Sequence, residues 1–138
     1  MMTSENKKIL LKDLCARLPY GVKCNALLMQ IDGSLKNIFG TFRGYNGWAN
    51  VGNNNLVDIE TVRPYLRPMS SMTEDEKIEL CTISYAPDEM KTIEEKLHVV
   101  ETNAKYATDF YNEHHFDYRG MIEKGLAIEA PEGMYKTK

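Results

Sequence analysis

The chain has 138 residues, 43% of them hydrophobic and 27% charged, a balance that suits a folded globular domain and excludes disorder over most of its length. Its formal net charge of −3 supplies no global field toward nucleic acid or an anionic membrane, so any such binding must come from a local patch. The length allows one compact domain with a helical part and leaves little room for a second full core.

The cysteines, Cys15, Cys24 and Cys81, are odd in number and form no C-x-x-C pair, so they read as small buried hydrophobes in a reducing cytoplasm. The opening MMTSENKKILLKDL is not expected to act as a secretory signal, because Lys12 and Asp13 break its apolar run and no small-residue cleavage site follows. No apolar run approaches the roughly 20 residues that span a bilayer.

In chain order, Ser4 is expected to cap a helix over about Glu5 to Arg17, where Ile9, Leu10 and Leu14 lie beside a polar stripe with Asp13 and Arg17; Pro19 stops it. From Val22 to Gln30 the period changes to two, and the second half of this strand is apolar on both faces, which predicts a central or helix-covered position. Asp32-Gly33 signals a hairpin returning through Leu35 to Tyr45, Asn46-Gly47 a second turn into Trp48 to Val51, and Gly52 to Asn55 a third before Leu56 to Ile59. Gly40 and Gly44 predict bulges that curl the sheet.

Arg63 to Glu76 then reads as a rigid, extended joint, since Pro64 and Pro68 should keep regular structure from running through it. Thr73 and Glu76 form a capping box for a helix from Glu74 to about Ile83. A second helix restarts near Ala86, with an apolar seam at Ile93, Leu97, Val100, Ala104, Ala107, Tyr111 and His114. Gly125 should end a turn in the left-handed region, Leu126 to Ile128 should form a last strand, and Pro131 to Lys138 should fray. The fold expected is α+β: an N-terminal helix, a curled antiparallel meander of about four strands forming a small half-barrel, then a helical C-terminal half. As one domain it divides into 1–62, the joint 63–73, the helical part 74–130 and the tail 131–138.

Candidate chemistry is sparse. His114, His115 and Asp117 offer imidazoles and a carboxylate to a metal-dependent hydrolase or nuclease, but neighbouring positions on a helix or strand diverge, so a helix end with Asp117 capping the next turn is the simpler reading. There is no G-x-S-x-G elbow and no phosphate-binding loop, and no cofactor is expected. Arg43, Tyr45 and Trp48, with Lys36, Phe39 and Phe42, put cations and aromatics on the sheet where single-stranded bases can stack, although alternating aromatics commonly fill a core.

RPYLRPMSSMT at Arg63 to Thr73, HHFDYRGMIEKGLAIEAPEGMY at His114 to Tyr135 and LLKDLCARLPYGVK at Leu10 to Lys23 resemble an uncharacterised family of small proteins encoded in prophages and other mobile elements of gut bacteria. The resemblance implies a phage or mobile-element context and carries no activity or catalytic residue. It leaves out about Asn25 to Leu56, the sheet region where members would differ in what they bind. The leading expectation is a non-catalytic protein-interaction module. Arg63, Tyr65 and Arg67 of the joint would bind a protein partner, a second copy being one candidate, together with Asp117, Tyr118 and Arg119.

Overall fold

The computed structural model describes residues 2–84 and 105–135. Helix α1 (Ser4–Arg17) begins one residue earlier than expected, because Thr3 rather than Ser4 caps it, its hydroxyl accepting the Asn6 amide at 3.1 Å. Pro19 turns the chain into a 3-10 turn, Leu18–Tyr20, which ends on Gly21 at φ 71°. Leu10 and Leu14 face the core, and Asp13 and Arg17 on the neighbouring stripe are buried as completely.

Six strands follow: β1 (Lys23–Met29), β2 (Leu35–Tyr45), β3 (Ala49–Val51), β4 (Asn55–Val57), β5 (Arg63–Leu66) and β6 (Ile128–Glu129). They form one mixed sheet in the order β4-β3-β2-β1-β5-β6, antiparallel except for the parallel β5–β6 pair. The predicted turns join the first four strands as a meander, and β1 is central as expected. Two strands exceed the predicted meander. The joint does not interrupt regular structure at Pro64: β5 runs through it, with Pro64 opposite Cys24 and Arg63 opposite Asn25. A proline fits a strand where the ladder does not need its missing N–H, and this pairing is only two residues long.

β2 bends as its glycines predict. A Cβ on Gly40 would lie 2.9 Å from the Gly52 Cα, Gly44 sits at φ 147°, and the β2–β3 register shifts between Phe42 and Gly44. This bulge curls the sheet until β1 approaches β4, although β2 and β3 separate them in strand order. A 3-10 turn at Ile59–Thr61 carries the chain from β4 to β5, and the Leu27 amide of β1 reaches Thr61 Oγ1 at 3.3 Å.

The capping box forms as predicted at α2 (Glu74–Ser84): Glu76 N donates to Thr73 Oγ1 at 3.2 Å and Thr73 N to Glu76 Oε1 at 2.9 Å. A further helix, α3, covers 105–113. The apolar seam from Ile93 to Ala104, and the helix expected to restart at Ala86, lie outside the described residues. After α3 the chain turns at His115, crosses Arg67 in a parallel bridge at Phe116, and returns through Gly125 at φ 73° to β6. The tail does not fray as far as Tyr135, whose hydroxyl accepts the Lys23 amide at 2.9 Å and donates to the Tyr65 carbonyl at 2.7 Å.

The core lies between α1 and one face of the sheet, around Leu10, Leu14, Cys24, Phe42, Val62 and Leu66. Burial pushes the Cys24 thiol up to about 12, so it packs as a neutral hydrophobe, while Cys15 is exposed, contrary to expectation. Among the described residues no helix is long and apolar enough to cross a membrane.

Candidate functional site

The expected binding residues divide between two places. Arg67, Asp117, Tyr118 and Arg119 meet where the joint passes the turn after α3. The main chains are stitched first: Arg67 N donates to the His115 carbonyl at 2.7 Å, and Asp117 N to the Arg67 carbonyl at 2.8 Å. The Arg67 guanidinium then grips Glu76 with both terminal nitrogens at 2.7 Å, and its Cζ lies 4.2 Å from the Phe116 ring centroid. These hydrogen bonds hold the Glu76 carboxyl down at about 2, against the opposing effect of burial, with Thr73 adding to them. The Arg67 side chain is only 11% exposed, so its charge is spent inside the molecule.

Below this lies a second, fully buried pair. Arg17 donates to both oxygens of Asp13, at 2.9 and 3.1 Å, and reaches the Phe116 carbonyl at 2.6 Å. Arg119 joins the same carboxylate at 3.3 Å and stacks with Tyr118, 4.6 Å from Cζ to ring centroid. Asp117 accepts the Met121 and Ile122 amides at 2.8 and 3.0 Å, the capping role its position suggests. The knot ties the start of the chain to its end, and both of its central cations are consumed by it.

Arg63 and Tyr65 stand apart from this knot. Arg63 donates to the Glu60 and Val62 carbonyls at 2.7 and 2.8 Å, and burial lowers its pKa. The Tyr65 ring tilts against Phe39 with centroids 5.6 Å apart.

The histidine segment spreads its groups rather than converging them. His114 Nδ1 lies 3.4 Å from Glu76 Oε2, the Asp117 carboxylate is occupied by amides, and the His115 ring stacks on Tyr135 with centroids 4.0 Å apart. His115 adopts φ 61° at the turn and is buried; burial first, then the charge of Arg17, lowers its pKa to about 4. Among the described residues no group of three or more His, Cys, Asp or Glu side chains is placed to hold a metal ion.

The second place is the sheet face turned away from α1. Along β1, Cys24 and Ala26 enter the core, while Leu27 and Met29 point the other way. The curl of the sheet gathers Leu27, Met29, Leu35, Trp48, Leu56 and Val57 around a hollow of about 490 Å³, with Asp58 and Thr61 at its side. Met29 is 71% exposed and Trp48 55%, and Leu35 and Leu56 are likewise more than half exposed. The aromatics expected on the sheet therefore separate: Phe42 is core, whereas Phe39 and Trp48 are surface. Of the nucleic-acid candidates, Arg43 directs Nε to the Gly52 carbonyl at 2.9 Å, and Trp48 lines a wall whose single charge is the Asp58 carboxylate.

This hollow was missed at the level of sequence. Its signal lies in the second half of β1, apolar on both faces, which predicts a central or helix-covered position; β1 is central, and among the described residues no α-helix lines this face. No protein-family model matches the chain, and comparison with curated proteins and with solved structures yields no match to it.

Proposed function

We propose that the chain is a non-catalytic protein-interaction module that docks through the apolar hollow of its curled, half-barrel-like sheet. It would serve as a phage or mobile-element accessory protein and work in the cytoplasm. The observation that carries this reading is the hollow itself, where large apolar side chains from β1, β2, β4 and the β2–β3 turn converge and four of them, Met29, Leu35, Trp48 and Leu56, remain more than half exposed. Water-exposed apolar surface on this scale is retained where a partner covers it. Trp and Met are also types enriched in the centres of interfaces.

The reading moves the interaction surface away from the joint and the turn after α3, where Arg63, Arg67, Asp117 and Arg119 are engaged within the molecule. It favours protein over nucleic acid, because a phosphate backbone needs cations and the hollow's one charged residue is acidic. The test is capture on tagged protein from a phage-bearing host, with and without nuclease, beside Trp48→Ala. A protein partner that survives nuclease and is lost with Trp48→Ala is the expected result. Partners that vanish with nuclease, or bind regardless of Trp48, would overturn it.

A further inference from the structure

Beside the hollow stands an exposed apolar tip. The β1–β2 hairpin projects beyond the sheet with Ile31 wholly exposed at its tip, flanked by Met29 and Leu35, which also line the hollow. The tip is pre-formed: Gln30 N donates to the Ser34 carbonyl at 2.8 Å and Gly33 N to the Gln30 carbonyl at 3.0 Å. Ser34 bonds the Asp32 carboxylate through both its amide, at 2.9 Å, and its hydroxyl, at 2.6 Å. An apolar knob held rigid in water costs little further ordering when it is buried.

From this juxtaposition we infer that the hollow is filled by a second copy of the same chain, the hairpin tip of each protomer entering the hollow of the other about a two-fold axis. This rests on the reading of the hollow as a docking surface and names its occupant. A two-fold interface uses one patch on both protomers, so the patch must be complementary to itself, which a knob adjoining a hole provides. The exposed apolar surface is of the size that forms the centre of such an interface. Met29, Ile31, Leu35, Trp48 and Leu56, each more than half exposed, together present several hundred Å², the range from which a standard interface of about 800 Å² per partner is built with its rim. The two acidic groups nearby have partners of their own, Asp32 in Ser34 and Asp58 in the Glu60 amide at 2.9 Å.

Sedimentation equilibrium of the full chain over a wide concentration range is the test, with Ile31→Lys and Leu56→Lys beside it. The wild type is expected to pass from 15.8 kDa to twice that mass. Either substitution should raise the dissociation constant by roughly thirtyfold or more, as loss of a central anchor does. Both positions are exposed in the monomer, so unchanged circular dichroism should accompany the loss. As a positive control of geometry, an Ile31→Cys chain mixed with a Leu56→Cys chain, both with Cys15 and Cys81 replaced by Ser, should give a crossed disulfide dimer when dissolved oxygen is supplied as the oxidant. A wild type that stays monomeric, or a dimer indifferent to both lysines, overturns the inference. If the monomer still captures another protein in a Trp48-dependent way, the docking reading survives and only the identity of the occupant is lost.

Discussion

The polar knot beneath the joint and the apolar hollow on the outer sheet face invert the usual placement of side chains in opposite ways. In the knot, Asp13 and Arg17 are fully buried, and Arg67 and Glu76 nearly so. In the hollow, Met29, Trp48 and Leu56 stand in water. Charge inside is tolerable when it is matched, and here Asp13, Arg17, Arg67 and Glu76 are bonded to one another and to backbone carbonyls as far as 99 residues away, while Arg119 Nε has Asp13 at 3.3 Å as an ion pair without a hydrogen bond. Apolar surface outside is useful only when something covers it. Arg17, Arg67 and Arg119 are thus engaged within the fold, and the proposed recognition falls to the exposed apolar side chains.

That division is sharpened by substitutions on its two sides. The largest effect is expected from Arg17→Met, which leaves Asp13 buried with only Arg119 beside it; loss of one partner of a buried pair costs about 3–5 kcal/mol, read by urea unfolding. Next comes acid. His115 is neutral in the fold because its pKa falls from 6.5 to about 4, so the unfolded chain binds the extra proton between these values. Stability is then full above pH 6.5 and declines as pH falls toward 4, by on the order of 3 kcal/mol. Glu76, lowered from 4.5 to about 2, extends the decline to lower pH in the same direction. Thermal unfolding from pH 7 to 4 should follow this slope, and His115→Asn should flatten its upper part.

A smaller loss is expected from Tyr135→Phe, which removes the hydroxyl shared by Lys23 and Tyr65 and should cost about 1–3 kcal/mol, because the Lys23 amide is left without its acceptor. Differential scanning calorimetry beside Thr73→Ala, a cap loss of about 1 kcal/mol, would rank the two. The smallest effect on the fold belongs to Ile31→Lys, within about 0.5 kcal/mol in the monomer, since the side chain touches only water. Equal losses from Arg17→Met and Ile31→Lys would break the comparison.

What could be read in the sequence was local. Asp32-Gly33, the Thr73–Glu76 box, the bends at Gly40 and Gly44 and the Asp117 cap depend on a few neighbouring residues, and each formed where expected. What could not be read was long-range. Arg17 and Asp13 read only as a polar stripe beside Leu10 and Leu14; their burial depends on Phe116 and Arg119, placed by tertiary packing. Tyr135 likewise finds Lys23 across 112 residues, which no local pattern encodes. Pro64 misled because its missing donor argues against a strand only where a partner would accept from it. The hollow was half legible, as a strand apolar on both faces; that its outer face would stay open depends on the curl of the whole sheet.

The central claim, that the outer face serves association while the knot serves the fold, is tested most directly by urea unfolding at several protein concentrations, wild type beside Ile31→Lys. Self-association through the hollow predicts a wild-type midpoint that rises with protein concentration, and an Ile31→Lys midpoint that does not rise and equals the wild type's at high dilution. A wild-type midpoint independent of concentration, or an Ile31→Lys chain less stable at every dilution, would contradict it.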